Sequence, residues 1–125
     1  MKVIFTFRAA SGALCAAICL AAVSACTAAA VPPVASADAR WASERWPGTT
    51  VAELSKGRDV FVSRCSGCHA LPRPEVKSPD EWAGVLDEMA ARAKLSSGDR
   101  ELTLRYLSAA SQRLRASSAT TAGSL

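Results

Sequence analysis

The chain is poor in the side chains on which most site chemistry depends. Its 125 residues hold one histidine, His69, and two methionines, Met1 and Met89. A structural zinc site takes four sulfur or nitrogen ligands, and one histidine with the few cysteines beyond the N-terminal segment falls short of that. No second histidine stands ready as a general acid or base. Nor is there a long apolar run. Ala9 to Val23 is interrupted by Ser11 and Gly12 and is too short for a confident bilayer span, which takes about 20 predominantly apolar residues. Charge of one sign is lacking as well. The formal net charge is +4, and between Val51 and Gln112 acidic and basic side chains balance at nine each. A nucleic-acid partner would need a clustered basic face with interleaved aromatics. With aromatics at 6% and the cations scattered, no such partner is expected. Internal repeats are absent too.

What is present begins with an export signal. Lys2 and Arg8 form a positive n-region and Ala9 to Val23 an apolar h-region, the layout of a secretion signal. Val23-Ser24-Ala25-Cys26 resembles a bacterial lipobox, in which cleavage leaves the cysteine first and its thiol carries diacylglycerol. That resemblance implies Cys26 as a lipidation site and a membrane anchor, because several acyl chains hold stably where one binds marginally. Ordinary cleavage after Ala25, or at Ala35-Ser36-Ala37, is the other option. The expected division is a signal peptide over residues 1–25, a flexible tether over 26–40, one folded domain over 41–115 and a disordered tail over 116–125. Tether and tail are drawn from the aperiodic Ala/Val/Pro/Ser and Ser/Ala/Thr/Gly composition of those stretches. A domain this small buries a modest core and needs a staple such as a disulfide, metal or cofactor.

Cys65-Ser66-Gly67-Cys68-His69 supplies one. The spacing C-x-x-C-H is the attachment pattern of a c-type haem. Two thiols three positions apart can each add across one haem vinyl group, forming thioethers. The histidine beside the second thiol can then bind the iron through an imidazole nitrogen. At this motif the chain resembles the c-type cytochromes. The resemblance implies one covalent haem c, with Cys65 and Cys68 as attachment points and His69 as proximal ligand. No second such motif occurs, so the chain is read as monohaem. Haem is attached to these proteins outside the cytoplasm, which agrees with the export signal. A redox dithiol fits less well: a thioredoxin-like motif follows a strand within a βαβ pattern, whereas here a helical pattern precedes and a proline loop follows.

Three helices are predicted around the motif. Thr50-Val51-Ala52-Glu53 is a capping box opening a helix from about Val51 to Arg64, with Leu54, Gly57, Val60, Phe61 and Arg64 on one side. Gly57, four before Phe61, resembles the first helix of class I cytochromes c, which implies a close crossing by the terminal helix. Pro72 and Pro74 remove donors and keep Ala70 to Pro74 as a loop. The resemblance gives a proline carbonyl here the task of accepting the histidine's other N–H, with Pro72 the first candidate and Pro74 the alternative. Ser78-Pro79-Asp80-Glu81 is a second capping box, with proline at the first helical position. It opens a helix to about Ala93 whose Trp82, Val85, Leu86 and Met89 form one apolar face. A third helix is predicted from about Asp99 to Arg115, and by resemblance its Tyr106 meets Gly57 and Phe61. Trp41 and Trp46 are expected to fold back over the haem or the helix pair.

Elimination narrows the second iron ligand. His69 is the only histidine, so two histidines from one chain are excluded, and Met89 is the one methionine left after the signal is removed. Met89 is the expected distal ligand. An open five-coordinate iron, or Lys77 or Lys94 as ligand, are the alternatives. The expected fold class is all-α, a small cytochrome c-like domain of three main helices packed around a covalent haem. The expected function is electron transfer, not catalysis, in the periplasm or at the outer face of a bacterial membrane, with redox proteins as partners. A five-coordinate haem sensor, or the haem subunit of a larger redox enzyme, is the alternative.

Overall fold

The computed structural model describes residues 31–123. Cys26 and the export signal lie outside the described residues. The described chain is all-α, with no strand. Four α-helices follow one another: α1 (Ser36–Arg45), α2 (Val51–Cys65), α3 (Glu81–Ala90) and α4 (Ser97–Ala122), with a 3₁₀ turn at Pro74–Val76 between α2 and α3.

Local chemistry places the helix ends. The Thr50 hydroxyl accepts from the Glu53 N–H at 3.2 Å, and the Glu53 carboxylate accepts from the Thr50 N–H at 2.9 Å, so the capping box forms in both directions. The Thr50 N–H holds the Glu53 carboxyl below its usual range. The second box forms by half. The Ser78 N–H donates to the Glu81 carboxylate at 2.7 Å, while the regular helix begins only at Glu81 after a turn through Pro79 and Asp80. At the other end of α3, Lys94 takes a left-handed conformation with φ 52. Leu95 N–H then reaches the Ala90 carbonyl at 2.9 Å and Lys94 N–H the Ala91 carbonyl at 3.3 Å, the paired bonds of a Schellman ending. The Ser96 hydroxyl caps α4 by accepting from Asp99 N–H at 3.0 Å.

α4 is the spine. Its 26 residues extend about 39 Å at 1.5 Å per residue, and α1, α2, α3 and the 3₁₀ turn all pack on it. The crossing with α2 is close because Gly57 has no side chain. A Cβ there would lie 2.1 Å from the Leu102 carbonyl oxygen and 3.1 Å from the Tyr106 Cβ. Tyr106 sits at that crossing as expected, its ring centroid 6.2 Å from that of Phe61.

Two expected boundaries move. A tether is expected over residues 26–40, yet from Val31 onward the chain is docked. Arg58 donates to the Val31 and Pro32 carbonyls at 3.1 Å each, the Tyr106 hydroxyl to the Pro32 carbonyl at 2.8 Å, and Arg113 to the Pro33 carbonyl at 3.1 Å. α1 then carries a buried carboxylate. Asp38, 2% exposed, accepts from Arg113 Nε at 2.7 Å and from the Ala35 N–H at 2.8 Å. Ala42 packs with Leu54 and Ala109, flanked by Trp41 and Trp46. The two tryptophans therefore cover the helix pair. A disordered tail is expected over residues 116–125, but α4 continues to Ala122. Ser117, Ser118, Thr120 and Thr121 each return a hydroxyl bond to a carbonyl four residues back, and Ala116, Ser117 and Thr120 lie in a groove beside Ala37 and Trp41 of α1. No described helix is long and apolar enough to cross a membrane.

Candidate functional site

The C-terminal end of α2, the loop after it and the apolar face of α3 line a half-open cavity of about 310 Å³, within the range of ligand and cofactor sites. α2 delivers Cys65 as its last residue, and Ser66 continues in helical conformation as its C-cap, so the motif turns directly off the helix end. Cys65 is half-buried, while Cys68 and His69 are exposed. Opposite them, Trp82, Val85, Leu86 and Met89 all line the cavity, so the apolar stripe predicted for this helix faces one space. Phe61 and Leu107 complete the wall. The Schellman ending of α3 brings Arg92 and Ala93 to the same space, and Arg64 reaches it from α2.

The sequence-predicted residues Cys65, Cys68, His69, Pro72 and Met89 thus converge on one cavity. One predicted contact differs. His69 Nδ1 lies 2.8 Å from the Ala70 carbonyl, and not at the carbonyl of Pro72 or Pro74. A carbonyl oxygen only accepts, so Nδ1 carries the proton and Nε2 keeps the free lone pair. The reason is local: Pro74 is buried and its carbonyl is taken by the indole N–H of Trp82 at 2.9 Å, while Pro72 contributes to the cavity wall. Neither Lys77 nor Lys94 lines the cavity. Lys77 instead pairs with Glu81 at 3.9 Å.

Burial pushes the Cys65 thiol above its ordinary pKa, and the neighbouring Cys68 adds to the shift. A thiol held protonated is the opposite of the low-pKa thiolate that dithiol redox exchange requires. Among the described residues no three His, Cys, Asp or Glu side chains gather as a metal cluster. The available donors are instead an imidazole nitrogen and a thioether, with two thiols beside them and an apolar wall around them. That set suits a large apolar group held by covalent bonds to sulfur, with one soft and one nitrogen donor for a metal at its centre. Arg64 and Arg92 add two cations at the margin.

Sequence reasoning missed the residues that hold the loop between His69 and Met89. The Ser108 hydroxyl donates to the Pro79 carbonyl at 3.0 Å, the Ser111 hydroxyl to the Lys77 carbonyl at 2.5 Å, and Arg115 to the Glu75 carbonyl at 3.0 Å. Ser108 and Ser111 are 1% and 0% exposed. The one signal for them was two serines inside an otherwise apolar run of α4. No protein-family model, no curated protein and no solved structure matches the chain.

Proposed function

We propose that the protein is a monohaem c-type cytochrome that carries electrons between redox proteins, exported to the periplasm and held at a membrane by lipid on Cys26. The observation that carries this reading is the convergence of Cys65, Cys68, His69 and Met89 on one apolar cavity, from positions spread over α2, a loop and α3. Cys65 and Cys68 would hold the haem by thioether bonds, and His69 Nε2 and the Met89 sulfur would take its iron. The bound group supplies a one-electron Fe(II)/Fe(III) exchange, and thioether ligation with burial favours the reduced state.

The chain's own residues do the rest. The Ala70 carbonyl, 2.8 Å from His69 Nδ1, orients the ring. Phe61, Trp82, Leu86 and Leu107 keep water from the cavity wall. Arg64 and Arg92 place guanidinium groups where the carboxylates of such a group would be balanced. Docking of residues 31–34 by Arg58, Tyr106 and Arg113 supports processing upstream of Val31, as at Cys26, over cleavage at Ala35-Ser36-Ala37, which would discard those contacts.

The test is purification from a host that matures c-type cytochromes. The expected product is low-spin, keeps its haem under denaturing conditions, and shows a weak far-red methionine band that Met89→Ala abolishes. A high-spin wild-type spectrum would remove Met89 from the iron and favour the five-coordinate sensor. Intact mass places the mature N-terminus, expected at a diacylated Cys26.

A further inference from the structure

Between His69 and Met89 the chain passes through a loop, a 3₁₀ turn and the start of α3, a path with little regular structure of its own. Its backbone carbonyls are nonetheless bonded at four places by side chains, three of them from α4 and one from the start of α3. Trp82 of α3 holds Pro74 at 2.9 Å; Arg115, Ser111 and Ser108 of α4 hold Glu75 at 3.0 Å, Lys77 at 2.5 Å and Pro79 at 3.0 Å. The three α4 residues stand three and four apart, so they share one helix face, and they meet the loop in antiparallel order. Trp82 belongs to the same apolar face as Met89 and lines the same cavity. Elsewhere in the chain the buried hydroxyl of Thr103 bonds within its own helix, to the Asp99 carbonyl at 2.7 Å. Ser108 and Ser111 instead spend buried hydroxyls on this one segment.

We propose that Ser108, Ser111 and Arg115, with Trp82, form a clamp that fixes the path of residues 74–79 and so sets where α3 presents Met89 relative to His69. This rests on the haem reading above. The clamp residues are positioning residues: none is a ligand. Their work is to keep the helix that carries the sulfur in place, so that a methionine side chain that swings out finds the same position to return to and competes with any added ligand.

Added imidazole reads this directly, because it binds the ferric iron only when Met89 leaves. Ser108→Ala and Ser111→Ala should each bind imidazole roughly tenfold more tightly than the wild type, the factor that one lost hydrogen bond is worth, with haem content unchanged. Thr103→Val, which removes a buried hydroxyl of the same helix that does not touch the loop, should lower the unfolding midpoint and leave imidazole affinity where it was. Equal imidazole affinity in the serine variants and the wild type overturns the clamp, and so does an equal gain in Thr103→Val. A wild type that retains no covalent haem would overturn the cytochrome reading and the clamp with it, an outcome visible before any imidazole is added.

Discussion

Two regions of the molecule are held together in different ways. Around α1 and the strand of chain before it, protein groups satisfy one another. Asp38 is paired with Arg113, the carbonyls of Val31, Pro32 and Pro33 are all taken, and Gly57 lets α2 and α4 touch. Around the cavity the opposite holds. Trp82, Leu86 and Phe61 are buried and back a half-open apolar cavity, with Cys68 and His69 of the motif exposed beside it. The first region is complete as a protein. Under the proposed function the second is a wall that would gain stability from a bound group, as small domains with modest cores commonly require.

The largest effect should come from emptying the second region. Under the proposed function, Cys65→Ser with Cys68→Ser would remove covalent attachment, and the melting temperature is expected to fall by roughly 20 °C, since each kcal/mol moves a domain of this size about 4–8 °C. Near-ultraviolet circular dichroism of Trp82 should be lost while the far-ultraviolet helix signal largely persists. Equal loss of both signals would erase the contrast between the regions.

The first region should break by steric means. Gly57→Ala would gain about 1 kcal/mol of helix propensity, but its methyl would sit 2.1 Å from a backbone carbonyl oxygen. Overpacking of that kind wins, and denaturant unfolding should show a net loss of about 3 kcal/mol. Arg113→Ala comes next. It leaves the buried Asp38 carboxylate without its cation and frees the Pro33 carbonyl. Breaking a fully buried pair costs about 3–5 kcal/mol; with Arg113 27% exposed, about 2 kcal/mol is expected in denaturant unfolding.

The smallest effect is a pH dependence. Burial pushes the Tyr106 hydroxyl up to about 12 from its ordinary 10.0, and the same hydroxyl donates to Pro32. The folded state thus favours the neutral phenol. Its stabilisation is full below pH 10 and is lost as pH rises through about 12, by linkage. Tyr106→Phe should flatten that alkaline decline in a denaturation series, whereas an unchanged decline would assign it elsewhere.

Much of this was legible from local signals. The Thr50 capping box, the Trp82–Met89 stripe and the Gly57 crossing each follow from residues within a turn or two of one another, or from a steric demand that one residue type answers. α1 was not legible, because its fixed points are remote in sequence. Asp38 meets Arg113 across 75 positions and Tyr106 meets Pro32 across 74, so the Ala/Pro/Ser stretch that holds them has the composition of a linker. The loop was half legible. Two prolines excluded a helix, but the Pro74 carbonyl went to Trp82 of the next helix, and the Ala70 carbonyl, adjacent in the chain, took His69 Nδ1.

By itself the sequence determined the helical class, the helix starts and the chemical identity of the donors, because spacing, capping and the scarcity of histidine and methionine are properties of the chain read in order. Only the tertiary structure decided that Met89 shares a cavity with Cys65, Cys68 and His69, that the chain is docked from Val31, and that Ser108 and Ser111 secure the loop between. Those facts depend on the crossing at Gly57, where two backbones come close enough for distant residues to meet.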